Sequence, residues 1–190
     1  MNMVWPIVLV FLSVIVLKQK VSGKSFIALF ISFIGVYLIS TQGDPTSFTI
    51  QDPLGVLLAV GSSLIWSFYW IYNLKTAYNE TFQLTLNFLF ASIFITILMF
   101  LVSGFQDLHY KGVLLASYAG GFEMGITFIL WLKAMKLTST NDKISNLVYI
   151  APFISLIFIH FMVGETIYVT SMAGLTFIVL GILIEKIRWI

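Results

Sequence analysis

The chain has 190 residues, of which 59% are hydrophobic and only 9% charged, whereas about a quarter of a soluble domain is charged. A soluble fold of this length has no interior large enough for so much apolar surface, so the chain reads as an integral membrane protein. A net charge of +2 without a dense basic patch offers nucleic acid nothing to bind, and zero cysteines exclude disulfides, thiol catalysis and thiolate metal sites.

A spanning helix needs about 20 mostly apolar residues. The charged positions cut the chain into seven such stretches, at approximately 1–17, 24–41, 53–73, 82–103, 111–133, 142–163 and 167–185. Continuous apolar runs without alternation predict helices, which satisfy their own backbone groups in lipid. The expected fold class is therefore all-α, with about seven transmembrane helices.

The first stretch starts at Met1 with no basic region and no small-residue cleavage site, unlike a signal peptide. Its basic flank, Lys18 and Lys20, follows it. Such a start is expected of the interior of a larger bundle, with further helices upstream. Pro6 is marked as a kink position in this stretch.

The third stretch carries Ser62, Trp66, Tyr69 and Asn73 at spacings of four, three and four, which places them on one helix face. In lipid a polar and aromatic stripe faces protein or a cavity, and Trp66 and Tyr69 are read as cavity residues. Trp70 and Tyr72, off the stripe and close to Lys75, read as interfacial anchors.

The fifth stretch holds Gly120-Gly121-Phe122-Glu123-Met124-Gly125. Glu123 is the only acidic residue near the middle of any of these long apolar runs, where a charge costs about 2.5–3.5 kcal/mol on insertion scales. It reads as a titratable group on a translocation cavity, binding a substrate cation or carrying a proton. The plainer alternative is a protonated Glu bonded to a neighbouring helix. Thr127 and Trp131 extend the same face, and the Gly121 and Gly125 pair predicts close helix packing.

In the sixth stretch Asn146 and Tyr149 share a face, and Pro152 has no N–H for the Val148 carbonyl, which predicts a kink. His109 and His160 show no metal-ligand spacing. No Ser or His pair predicts a nucleophile beside its base, and no metal or nucleotide motif is present, so neither an enzyme nor a cofactor is expected.

If successive loops alternate sides, Lys18, Lys20, Lys24, Lys75, Lys133, Lys136, Lys143, Lys186 and Arg188 share one side, against Lys111 on the other. This nine-to-one split predicts a cytoplasmic C-terminus. Displacing the chain by 146 residues sets Pro6 on Pro152, Ser25 on Ser171, Leu29 on Leu175 and Gly35 on Gly181 without gaps, and Lys18-Gln19-Lys20 on Gly164-Glu165-Thr166. The paired helices would cross the membrane in opposite senses, as in the inverted repeats of many secondary transporters.

Several segments also carry a family resemblance: Asn2-Met3-Val4-Trp5-Pro6 with Leu17-Lys18-Gln19-Lys20; Gly35-Val36-Tyr37-Leu38; Ile65-Trp66-Ser67-Phe68-Tyr69; and Trp131-Leu132-Lys133-Ala134-Met135-Lys136 followed by Pro152 and Gly164-Glu165. In order and spacing they resemble the EamA type of the drug/metabolite transporter superfamily. The resemblance implies ten helices in two five-helix inverted repeats, of which this chain supplies helices four to ten. Residues 1–41 would close the first repeat with two helices, and residues 53–188 would form the second with five. Gln19 stands where the first repeat usually has an acidic residue, and Glu165 holds the matching place in the second.

The function so implied is a multi-pass permease of the cell (inner) membrane. It would export a small organic metabolite, such as an amino acid or related compound, by alternating access, driven by a proton gradient or by exchange. The residues expected to bind substrate or couple protons are Glu123, Thr127, Trp66, Tyr69, Asn146 and Tyr149, with Pro152 and Pro6 as kinks. The expected partners are the lipid bilayer, a small-molecule substrate, and either a second copy of the chain or a missing N-terminal half. The runner-up is a truncated, non-transporting fragment, or one part of a bundle that needs an N-terminal partner.

Overall fold

The computed structural model describes residues 4–40, 44, 53–102, 109–164 and 166–186; Glu165 lies outside them. Among these residues all regular structure is helical: α1 (Trp5–Val16), α2 (Gly23–Ser40), α3 (Pro53–Lys75), α4 (Glu80–Val102), α5 (Tyr110–Tyr118), α6 (Thr127–Leu137), α7 (Asp142–Ser145), α8 (Ile150–Val163) and α9 (Val169–Lys186). A π-helical segment, Ala119–Ile126, joins α5 to α6 in one rod, and a 3₁₀ segment, Asn146–Tyr149, joins α7 to α8. Six of the resulting spans are long and apolar enough to cross a membrane, and α1 is shorter, at 12 residues. Every stretch marked out by the charges has its helix, so this is an all-α, multi-pass membrane protein whose surroundings are the bilayer.

The helices form two compact units, Met1–Tyr72 with Thr138–Ile190, and Asn73–Leu137. At the heart of the first, α2 and α9 run antiparallel with their backbones touching. A Cβ on Gly35 would collide with the Gly174 carbonyl and with Ile178; one on Gly174 with the Gly35 carbonyl and Ile39; one on Gly181 with Ser32 and the Ala28 carbonyl. Such an approach requires residues without a side chain.

The same contacts obey the 146-residue offset. Moving residue 35 forward and residue 174 back by that amount turns the Gly35–Gly174 contact into that of Gly181 with Ala28. The Gly35–Ile178 contact becomes Gly181–Ser32 in the same way. The two helices thus exchange contacts as the partners of an isologous interface do. Around them Val10, Leu29, Val36, Tyr149 and Ile178 form the apolar core.

Pro6 lies in the first turn of α1. There its missing N–H has no intrahelical partner to lose, so it opens a helix instead of kinking one, contrary to expectation. Pro152 is the third residue of α8, and the 3₁₀ segment lies just upstream, where the Val148 carbonyl, which has no N–H from Pro152 to accept, accepts from the Ile150 N–H instead. Trp70 corrects another expectation. It is buried against Trp66 and Tyr69, which it meets edge-on at centroid distances of 5.7 and 5.1 Å, whereas Tyr72 is exposed.

In the second unit the turn between α3 and α4 is held by amides. Gln83 Nε2 donates to the carbonyl and side-chain oxygens of Asn73 at 3.0 and 2.8 Å, and Asn87 Nδ2 donates to Asn73 Oδ1 at 2.7 Å. Lys136 pairs with Glu80 at 3.4 Å and donates to the Tyr78 carbonyl, and Phe88 packs on Phe128. From Phe88 to Val102 every residue of α4 is exposed on the chain, an apolar surface suited to lipid.

Candidate functional site

Polar side chains collect in the first unit where α7 begins and α9 ends, beside the lysines of that end. Asn141 donates its backbone N–H to Gln19 Oε1 at 3.0 Å and its Nδ2 to Ser13 Oγ at 2.7 Å. Ser13 in turn donates to the Leu9 carbonyl. The chain reaches Gln19 by leaving α1 through Lys18 at φ 53, the left-handed region, which returns the Gln19 N–H to the Ser13 carbonyl. Gln19 is therefore a structural acceptor in the place where the resemblance led one to look for an acid.

Next in line, Asp142, Ser145 and Asn146 are all buried. Asn146 Oδ1 accepts from Ser32 Oγ at 2.7 Å, while its Nδ2 has no hydrogen-bond partner. From α9, Glu185 accepts from Ser25 Oγ at 3.1 Å through one carboxyl oxygen. The Asp142 carboxyl adjoins it within side-chain hydrogen-bonding reach. Of these residues Asn146 and Glu185 line a cavity of about 380 Å3, together with Lys143, Ile144, Leu147, Ile182 and Lys186. The cavity lining thus combines one carboxyl, one amide and two lysines within one small volume.

In the second unit Glu123 is exposed and lies on the π-helical segment Ala119–Ile126. Helices with i→i+5 bonding are rare, and where they occur they are frequent at functional sites. Phe122 closes the segment: its carbonyl accepts both the backbone N–H of Thr127 and the Thr127 hydroxyl, the latter at 3.0 Å. A Cβ on Gly120 or Gly121 would meet nothing within 4 Å. The Gly121 and Gly125 pair therefore packs against no other helix among the described residues, and the close helix contact is made by Gly35, Gly174 and Gly181 instead.

Of the expected site residues, Trp66, Tyr69, Asn146 and Tyr149 belong to the first unit, and Glu123 and Thr127 to the second. Trp66 and Tyr69 are half-buried and stack with centroids 5.7 Å apart. Asn146 borders the cavity. Tyr149 is wholly buried in the apolar core.

Asp142 and Glu185 escaped the sequence reading because they stand at span ends, where charges are ordinary. One signal was available: the 146-residue offset sets Glu185 on Ile39, an acid on an apolar position.

An all-α membrane protein with polar groups clustered within its spans has the build of a transport protein. The model of the EamA-like transporter family matches residues 53–185, and the chain belongs to that family. It is 27% identical over 180 residues to an uncharacterized transporter of Clostridium kluyveri, covering 90% of this chain and 56% of that protein. It is 24% identical over 181 residues to the uncharacterized transporter YvbV of Bacillus subtilis, covering 93% and 58%. The chain thus spans a little over half the length of these curated relatives. No solved structure matches it.

Proposed function

We propose that the chain acts in a secondary transporter that exports a small organic metabolite, such as an amino acid or related compound, by alternating access. The observation that carries this reading is the seam between α2 and α9, whose contacts exchange under the 146-residue offset. Inverted repeats meeting in this way are the framework of many such transporters. On this reading residues 1–41 end one repeat, residues 53–188 form the other, and the C-terminus is cytoplasmic. Glu123, Thr127, Trp66, Tyr69, Asn146 and Tyr149 are the residues assigned to substrate or proton. Glu123 is the coupling candidate, since a carboxyl placed mid-span in a rare backbone form is costly and serves no packing. A proton gradient or exchange supplies the driving force.

The length covered in the relatives favours a second reading, in which the transporting bundle is completed by an N-terminal partner. Both are tested by counterflow of labelled amino acids in proteoliposomes. Flux by the purified chain that falls about ten-fold or more in Glu123→Gln supports the first reading. Flux only after co-reconstitution with the N-terminal half of a relative supports the second. No flux in either arrangement removes the transport proposal.

A further inference from the structure

We propose that the cavity at the junction of α7 and α9 holds an anionic phospholipid, its phosphate on Lys143 and Lys186 and its chains on Ile144, Leu147 and Ile182.

The lining is charged at one end and apolar at the other. Lys143 is the second residue of the span Asp142–Val163, and Lys186 is the last of the span Val169–Lys186. These spans follow one another in the chain, so the start of the first and the end of the second lie on the same side of the membrane. Leu147 stands four residues inward of Lys143, and Ile182 four residues inward of Lys186. Each lysine therefore sits one helical turn, about 5.4 Å, outside an apolar lining residue. The cavity repeats the order of a lipid leaflet, with headgroup charge outside and hydrocarbon within.

The other polar lining residues are engaged in helix packing. Glu185 accepts the Ser25 hydroxyl through one carboxyl oxygen, and its second is buried on the side of Asp142. Asn146 is 1% exposed, with its Oδ1 on the Ser32 hydroxyl. The two lysines, by contrast, are exposed. Lys143 donates to Ser139 Oγ at 2.9 Å. Among the described residues neither lysine forms an ion pair, although a carboxyl lines the same cavity. The cavity thus presents two ammonium groups at the rim of an apolar floor.

That pattern selects among ligands. Lysine binds phosphate as a point charge, and basic pockets between spanning helices take up phosphorylated headgroups. A free phosphate ester gains nothing from Ile144, Leu147 and Ile182, and a lipid without net charge leaves the lysines uncompensated. Leu147 keeps 44% of its surface exposed for hydrocarbon to cover. The volume, about 380 Å3, falls within the roughly 300–1,000 Å3 of small-molecule sites.

The inference is one of binding and holds whether or not the chain transports. It is tested on the purified chain in maltoside micelles by native mass spectrometry, with phosphatidylglycerol and phosphatidylcholine of identical chains as probes. Phosphatidylglycerol is expected to bind at least about ten-fold tighter. Lys143→Gln and Lys186→Gln should each weaken it about five-fold, the contribution of one lysine near an anionic headgroup. Lys75→Gln, at an exposed lysine outside the cavity, should leave it unchanged. Leu147→Asn should also weaken the lipid, and glycerol 3-phosphate in large excess should not displace it.

Both cavity lysines are exposed, so their variants should fold; if one does not, the other and the two lipids decide. The proposal is overturned if the two lipids bind alike, which is an annulus of lipid only. It is equally overturned if Lys75→Gln weakens binding as much as the cavity variants, which is the general charge of the surface. Displacement by glycerol 3-phosphate, or unchanged binding in a folded cavity variant, overturns it as well.

Discussion

Asn73 shows how much one buried amide can organise. Its side-chain oxygen accepts from both Gln83 and Asn87, and its carbonyl accepts from Gln83 again. Asn73→Ala removes the acceptor that both side chains use, and stranding buried donors costs about 1–3 kcal/mol. A loss of that size is expected in reversible SDS unfolding of the purified protein, and an unchanged midpoint would show that the turn is held by other contacts. Asn73 was legible in the sequence as one member of a polar stripe. Gln83 and Asn87 were not, because helical periodicity describes one helix at a time and their partner lies across a turn. Glu123 was legible because it stands alone in an apolar run, whereas Glu185 was masked by the ordinary charges around it.

At the scale of elements the helix ends were readable, since charged residues in this chain fall almost wholly between spans. The helix types were not. The π-helical segment Ala119–Ile126 is chosen by which carbonyl each N–H reaches, and its glycines permit that choice without announcing it. Glycine also reads ambiguously as a packing residue. Gly121 and Gly125 have the spacing of a contact motif, yet a Cβ at Gly121 meets nothing, while Gly181 sits against Ser32 and the Ala28 carbonyl. The two positions give a paired expectation. Gly181→Ala should destabilise by about 1–3 kcal/mol through overpacking, and Gly121→Ala by much less, in the same unfolding measurement. Equal losses at the two sites would mean that the seam does not distinguish them.

For the molecule as a whole, the sequence carried two long-range signals, the distribution of lysines and the 146-residue offset. The first becomes a test of orientation, made simple by the absence of cysteine. Lys111→Cys should react with an impermeant maleimide in intact expressing cells, and Lys20→Cys and Ser139→Cys only after permeabilisation. The reverse pattern would place the C-terminus outside. The second signal made α2 and α9 equivalent members of two repeats but could not give their contact, which depends on three glycines meeting the facing helix.

That contact limits how the two helices can move. Where backbone rests on backbone at Gly35, Gly174 and Gly181, with only Ile178, Ile39 and Ser32 bordering the contact, a change of rotamer alone does not let one helix slide past the other. A shift along the axis carries the β-carbons of neighbouring residues onto the opposing chain, while a change of crossing angle meets no such obstruction. The seam is a fulcrum: the helices it joins can tilt but cannot travel.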